Sequence, residues 1–317
     1  MTYEEALSYI HSICWKGSKL GLDRTRELLG KLNDPQKELK FIHIAGTNGK
    51  GSTAAMLSSI LEEAGYRVGL YTSPFINRFN ERMQVNHQPI PDEELAALTE
   101  YVRPHADAMA DSPTEFELIT ALAMVWFARQ KCDIVVLEVG MGGELDSTNI
   151  IDVPEAAVIA AMGMDHVKEL GPTMADIARA KAGIIKEGGR VVSYGGNPEA
   201  DEVIAAVCRA RNASLRQPDF SAIVPGDFGL EGQTFSYKGW RGLRIPLVGA
   251  YQMNNAAVVL ETVEVLRQRG WSVSDEAVRQ GLADTRWPAR FEVLRRDPVF
   301  IVDGGHNPHG IRATAES

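Results

Sequence analysis

From residue 40 onward the chain alternates short Val-, Ile- and Leu-rich runs with longer stretches whose apolar residues recur every three or four positions. The runs "KFIHIAG" (40–46), "RVGLYTS" (67–73), "DIVVLEVG" (133–140), "AAVIAAMG" (156–163) and "RVVSYGG" (190–196) are strand candidates. They lack the apolar–polar alternation of a half-solvated strand, so both faces must be covered. Helical spacing fills the intervals at 50–65, about 92–110, 114–130, 173–186 and about 199–211, and the stretch from Ser73 to Pro91 reads as a polar loop. The regular strand–helix alternation predicts an α/β fold with a mostly parallel sheet and helices on both faces. Between 219 and 248 the chain becomes turn-rich and alternating, which predicts a small antiparallel β appendage. Two helices follow, at about 251–269 and 275–283.

Near residue 287 the pattern starts afresh. Two short strands flank "RRDP", and "NPHG" announces a helix. A hairpin and part of a helix cannot bury an apolar face alone. Residues 1–286 therefore read as one α/β domain. Residues 287–317 read as a linker and the opening, incomplete part of a second, Rossmann-like α/β domain.

Composition narrows the function classes. The chain has 317 residues, a net charge of −9 and no Lys/Arg run longer than two, so neither nucleic acid nor an anionic membrane is the expected partner. An anionic substrate must be held by a few placed cations and backbone amides. The three cysteines are scattered and without a C-x-x-C pair, so they read as reduced core thiols. The N-terminus "MTYEEALSYIHSICWKG" has helical spacing with acids near its start, unlike a secretory leader. No apolar run reaches membrane-spanning length. A soluble cytoplasmic monomer is expected.

The chemistry begins at "FIHIAGTNGKGSTAAM", where a buried strand runs into glycines around Lys50 and then a helix. Backbone N–H groups of Gly46, Thr47, Asn48, Gly49, Lys50, Gly51 and Ser52 at a helix N-terminus can cradle phosphate oxygens. Lys50 can reach the β- and γ-phosphates, and Ser52 or Thr53 can hold Mg²⁺. The alternative is a simple strand–turn–helix with a surface lysine, for which three glycines are a costly choice. The spacing departs from G-x-x-x-x-G-K-[ST], since Ile44 stands where the first glycine belongs and Gly51 follows the lysine. Glu138 ends an apolar strand and is either a partnered core acid or a metal ligand. Ser73, in "TSP", is either a turn residue or a ligand. His166 follows a strand and is either structural or part of a second metal position with Asp165. Lys181 lies among small and apolar residues, where burial lowers an amine's pKa, or else it snorkels to the surface.

The loop "GTNGKGS" resembles that of the ATP-dependent Mur-type amide ligases, and the glycine after the lysine is similar to the folylpolyglutamate synthase branch. Six further segments carry the resemblance in order: "YTSPFINRFNERM", "VVLEVGMGGELDSTN", "MDHVKELGPTMADIARAKAGIIK", "GAYQMNNAAVVL", "RWPARFE" and "DGGHNPHG". The resemblance implies a P-loop-type ATPase domain of the Mur ligase kind, with ATP and two Mg²⁺ sites. It implies metal ligation by Ser73, Glu138 and His166, and a carbamylated Lys181 acting with Lys50 and His166 in catalysis. Asn255, Arg290 and Asp303 would contact the nucleotide, and His306 would lie at an interdomain face. Phe75 and Phe116 are candidates to sandwich a pterin or benzoyl ring, or are plain core. Asp146 matches a residue associated with pterin contact in bifunctional members.

Several positions depart from the family pattern. Glu144 and Ser147 replace Arg and Ala, which bears on dihydropteroate as a substrate. Phe75 replaces a frequent His. Ala289 replaces Gly, a small change if its φ is negative. The activity implied is ATP-dependent addition of L-glutamate to the γ-carboxylate of a reduced folate through an acyl phosphate. The alternatives are a bifunctional dihydrofolate/folylpolyglutamate synthase and a nucleotide-binding fragment without ligase activity. A dinucleotide-binding dehydrogenase is excluded, because "VGMGGEL" puts Leu145 where the third glycine is needed.

Overall fold

A computed structural model of the chain describes residues 1–14, 17, 19–305, 307–315 and 317. Its helices and strands run in the order α1 (Tyr3–His11), α2 (Asp23–Lys31), β1 (Phe41–Ala45), α3 (Lys50–Glu63), β2 (Val68–Tyr71), β3 (Met83–Val85), β4 (Gln88–Pro89), α4 (Asp92–Asp107), α5 (Glu115–Arg129) and β5 (Ile134–Glu138). Next come β6 (Ala156–Ile159), α6 (Val167–Leu170), α7 (Met174–Ala182), β7 (Arg190–Ser193), α8 (Pro198–Ala210), β8 (Ser214–Arg216) and the trio β9 (Ile223–Gly229), β10 (Gly232–Tyr237) and β11 (Trp240–Ile245). Last are α9 (Ala250–Gln268), α10 (Asp275–Asp284), β12 (Glu292–Arg296), β13 (Val299–Val302) and α11 (Pro308–Ala315).

Eight strands form one sheet in the order β4-β3-β2-β5-β1-β6-β7-β8, parallel from β2 through β8. Strands β1 and β5 are buried at every position, the result their unbroken apolar runs predict. Ile42 and Ile44 face α3, α9 and α10, and the antiparallel sheet β9–β11 packs on the same side. Phe41, Tyr71, Val135 and Leu137 face α4 and α5, while Ala157, Ile159 and Val191 face α7 and α8. Helix starts are locally encoded: Thr2 with Glu5, Thr114 with Glu117 and Thr173 with Asp176 each close a capping box. The buried carboxylate of Glu261 in α9 pins the appendage, taking the Tyr237 hydroxyl at 2.7 Å and pairing with Arg216 and Lys238.

The structure corrects several expectations. The loop from Ser73 to Pro91 carries β3, antiparallel to β2, and β4, antiparallel to β3, which extend the sheet. A further parallel strand, β8, forms the opposite edge. The helix expected to reach 186 stops at Ala182, with Gly183 as its cap. Cys132 and Cys208 are buried, but Cys14 lies beyond the end of α1 and is exposed. The hairpin β12–β13 forms a sheet of its own, and Leu294, Val299, Phe300 and Ile311 are exposed there.

Candidate functional site

The loop between β1 and α3 lies at the C-terminal edge of the parallel strands, where β1 sits between β5 and β6. Chain crossovers diverge at such a point and leave a crevice. The loop is anchored to the strand beside it: Thr47 and Asn48 donate backbone N–H groups to Ala161 O at 2.9 and 3.1 Å, and Thr47 Oγ1 donates to Gly163 O at 2.9 Å. Gly49 has φ +81° as the N-cap of α3, and a Cβ there would stand 2.7 Å from Asn255 Oδ1. At Gly51 a Cβ would stand 2.7 Å from the Trp287 indole. Those two contacts explain why glycine flanks Lys50 on both sides. A Gly51→Ala substitution is expected to push Trp287 and the neighbouring Arg290 off the loop. The apparent KM for ATP should rise about tenfold, an overpacking cost of about 1–2 kcal/mol, measured by steady-state ATP consumption.

Two clefts meet at this loop. The first spans about 880 Å³, counting the solvent at its open mouth, and is walled by residues 47–52, Ser73, Glu138, Asn255, Arg290 and Asp303, with Tyr194 and Tyr251 among the rest. The second, of about 1250 Å³, is walled by Phe116, Glu117, Gly140, Asp146, Ser147, Arg82 and His166 among others. Thr47, Lys50, Ser73 and Pro74 belong to both walls. A chamber of about 240 Å³ adjoins them, lined by Gly46, Lys50, Asp165, His166 and Lys181.

Within the first cleft, Glu138 is buried at the end of β5 and accepts the Ser73 N–H at 3.3 Å. Burial pushes its carboxyl above the ordinary range, while Lys50, the Ser73 amide and Arg290 pull it back. Lys50 Nζ donates to Gly46 O at 3.1 Å and Thr47 O at 3.3 Å, which holds it over its own loop. Ser52 Oγ accepts from Gln252 Nε2 at 3.3 Å, and Asn255 Nδ2 donates to Gln252 Oε1 at 3.0 Å. Asp303 is fixed by the amides of Phe291 and Gly305 at 2.9 and 2.8 Å and by the Thr314 hydroxyl at 2.9 Å. Arg290 Nη1 donates to Ala289 O at 3.2 Å. Ala289 stands at φ +54°, so the replacement of glycine is not the small change expected of a negative φ. An L-residue there carries a cost of about 1–2 kcal/mol, because its Cβ approaches the carbonyl.

In the chamber, Lys181 is 4% exposed and donates from Nζ to Gly46 O at 3.0 Å. Burial, reinforced by the Lys50 charge, pulls its pKa down to about 7. It does not snorkel to the surface. His166 is half-exposed at φ +49°, and its Nε2 is 4.0 Å from Asp165 Oδ2. The three expected metal ligands are thus divided. Ser73 and Glu138 share the first cleft, while His166 lines the second cleft and the chamber with Lys181. Among the described residues no three His, Cys, Asp or Glu side chains group as a metal cluster. The carboxylate and hydroxyls of Glu138, Ser73 and Ser52 are hard oxygen donors facing one cleft, a set that suits Mg²⁺.

The second cleft holds Asp146 by Met141 N–H at 2.9 Å, Thr148 N–H at 3.0 Å and Thr148 Oγ1 at 2.5 Å. Phe116 packs over Gly140, where a Cβ would stand 2.5 Å from its ring. Phe75 is not in the wall of either cleft. It leans on Phe79 with ring centroids 6.1 Å apart and carries the Arg82 guanidinium 5.2 Å from its ring, so no Phe75–Phe116 sandwich forms. His306 lies outside the described residues.

Sequence reasoning missed Tyr194, Tyr251 and Trp287, although the last two stand inside segments that carried the family resemblance. It also missed a reciprocal amide pair. Asn48 Nδ2 donates to Asn307 Oδ1 at 3.2 Å, and Asn307 Nδ2 donates to Asn48 Oδ1 at 3.0 Å, tying the loop to the start of α11.

Comparison with known proteins fits this geometry. The Mur ligase middle domain model matches residues 44–263. The chain is similar to the dihydrofolate synthase/folylpolyglutamate synthase of Bacillus subtilis, 41% identical over 326 residues, covering 99% of this chain and 76% of the relative. It is similar to the folylpolyglutamate synthase of Lacticaseibacillus casei, 41% identical over 322 residues, covering 98% and 75%. Superposed on a solved FPGS–AMPPCP–folate complex, it has a TM-score of 0.92 at 39% identity, covering 99% of this chain and 79% of that one.

Proposed function

The chain belongs to the folylpolyglutamate synthase family of Mur-type ligases, and on that premise we propose that it is an ATP-dependent amide ligase acting on reduced folate. In this reading ATP phosphorylates the γ-carboxylate of the folate's glutamyl tail. The amine of a free L-glutamate then displaces phosphate from the acyl phosphate and forms a γ-linked amide. The observation that carries the reading is the junction of the two clefts at Thr47, Lys50, Ser73 and Pro74. An anionic nucleotide and a second substrate can approach the same few atoms from opposite sides there.

Each residue's part follows from its surroundings. The loop amides from Gly46 to Ser52 receive the phosphates, and Lys50 stabilises the charge that builds on the transferred group. Asn255, Arg290 and Asp303 take the rest of the nucleotide, with Tyr194 and Tyr251 offering ring faces. Ser73 and Glu138 would hold one Mg²⁺, and His166 with a carbamylated Lys181 a second. Bound magnesium would neutralise β- and γ-phosphate charge. Phe116 and Asp146 line the folate side. Residues 1–286 form the ATP-binding domain in this reading, with 287–317 as linker and first elements of a second unit. The exposed apolar residues of β12, β13 and α11 support that division. Among the described residues no helix is long and apolar enough to cross a membrane. A cytoplasmic monomer is the setting this reading implies.

ATP consumption that requires both tetrahydrofolate and glutamate, with a mass gain of one glutamyl unit on the folate, is the expected result. Folate-independent ATP consumption, or nucleotide binding without product, would overturn it in favour of a nucleotide-binding fragment. The buried, triply bonded Asp146 in the second cleft favours a further activity, dihydrofolate synthesis, read out as turnover of dihydropteroate.

A further inference from the structure

Strand β1 is apolar but for one residue. His43 stands at its centre in "FIHIA", wholly buried between Leu137 of β5 and Ala157 of β6, and no step of the proposed reaction uses it. Burial, with the Lys186 charge acting the same way, drives its pKa down to about 3, so the ring is neutral. A neutral imidazole carries one N–H and one bare nitrogen. Its Nε2 lies 2.9 Å from Thr148 Oγ1, and its Nδ1 is buried with no hydrogen-bond partner among the described residues. A histidine with an unpaired nitrogen is a costly way to fill a strand interior, so its function lies in the one bond it does make.

The direction of that bond is fixed by its neighbours. Asp146 Oδ1 accepts the Thr148 N–H at 3.0 Å and Oδ2 accepts the Met141 N–H at 2.9 Å, so the carboxylate is an acceptor on both oxygens. The single proton of the Thr148 hydroxyl therefore goes to Oδ1, at 2.5 Å. The hydroxyl's lone pairs then take an N–H from His43 Nε2, which leaves Nδ1 bare. The donors all point one way, from the sheet interior toward the second cleft, and each link polarises the next. At the far end Asp146 lines that cleft together with Phe116. Both flank Gly140, where a Cβ would stand 2.5 Å from the Phe116 ring and 3.1 Å from Asp146 Oδ2. A flat ring and an acceptor edge thus adjoin, a pairing suited to a planar heterocycle with N–H donors on its rim.

We propose that His43 is a positioning residue: through Thr148 it locks the Asp146 carboxylate as an acceptor aimed at the heterocycle of the folate. Without the His43 N–H, the Thr148 hydroxyl loses the donor that holds its rotor, and Asp146 Oδ1 loses a fixed partner. The carboxylate itself stays in place, held by the Met141 and Thr148 amides. Asp146 lines the second cleft and not the first, so the change reaches the ring end of the ligand and leaves the nucleotide alone.

The inference rests on the folate reading above, and its tests fail separately from it. In the full chain labelled with ¹⁵N-histidine, one of the seven histidines, assigned by its absence from the His43 variants, should show a protonated Nε2 and a bare Nδ1 that persist to pH 5. The opposite tautomer would overturn the proposal. Binding is followed by tryptophan fluorescence with tetrahydrofolate, with p-aminobenzoyl-glutamate, which lacks the heterocycle, and with AMPPCP. H43L should weaken tetrahydrofolate about fivefold, the usual worth of one neutral hydrogen bond, and leave the other two within about twofold. H43Q, whose amide N–H reaches as far as Nε2, should restore most of the loss, and the shorter H43N should not. H43L added to T148V should cost nothing further, because the chain of donors is already cut. Equal loss of tetrahydrofolate and p-aminobenzoyl-glutamate, or H43N matching H43Q, would leave His43 a packing residue and the folate reading standing. A wild type that binds neither of those two ligands would overturn the folate reading, and this inference with it. The tautomer is read in the wild type, so a substitution that misfolds cannot shelter the idea.

Discussion

Replacing Lys181 by methionine is expected to lower ATP-dependent glutamate addition at least about a hundredfold in a protein that still folds. Methionine fills the volume of a buried lysine stem, so the loss reports the amine and not a cavity. Lys181 is enclosed beside Asp165 and His166, and its pKa of about 7 makes much of it neutral near neutral pH. A neutral amine can add to the carbon of CO₂ and release one proton, giving a carbamate. The side chain then changes from cation to oxygen acceptor, with His166 and Asp165 beside it. Turnover should rise from pH 6 to pH 8 as the free amine appears, and added bicarbonate should steepen the rise. The folded amine loses its proton near 7, whereas the unfolded one keeps it to about 10.4. The unfolded chain therefore binds more protons between those values, and stability rises with pH across that window. The Lys181→Met protein should lack that slope in melts taken from pH 7 to 10. Unchanged turnover in the variant, together with no added CO₂ mass on the wild type, would end the carbamate reading.

What could be read from the chain divides along a physical line. Strands β1 and β5 were legible because a parallel strand buried on both faces must be apolar throughout. The two ends of the sheet were not. β4 is a two-residue edge with exposed Gln88 and Pro89, and β8 is three residues long with Ser214 and Arg216 at its ends, so neither leaves a periodic trace. The helix α7 was drawn too long because Ile184 and Ile185 continue the apolar pattern, although they are buried after the helix has turned off at Gly183. The phosphate loop was legible because its glycines answer local demands on φ and close approach. Contacts between distant parts of the chain were not. The Trp287 indole over Gly51, the Asn48–Asn307 pair and the stacked Arg82 are set by tertiary packing, which no window of a single sequence encodes. The same limit explains Ala289, whose positive φ is imposed by its surroundings against its own preference.

Lys50→Ala is expected to cut ATP consumption about 10²- to 10³-fold, the usual cost of removing one charged group from a transferring phosphoryl site. Among the described residues Lys50 is the cation common to the walls of both clefts and the chamber, whereas Arg290, Arg82 and Lys181 each line one of them. Its bonds to Gly46 O and Thr47 O hold the ammonium ready, and those carbonyls stay with the loop when the side chain is gone. The substitution should also change how its neighbours titrate. The Lys50 charge helps hold the Glu138 carboxyl down and the Lys181 amine down. Without it, both pKa values rise. The pH at which residual turnover reaches half its plateau should therefore move upward, which simple loss of ATP affinity would not produce. Lys50→Arg should keep much of that pH profile but recover little of the rate, because a planar fork does not replace a compact ammonium. The checks are AMPPCP binding by calorimetry and ATP consumption from pH 6 to 9 for the three proteins. If Lys50→Ala binds the nucleotide as tightly as the wild type and turns over within twofold of it, the loop is not the phosphate site.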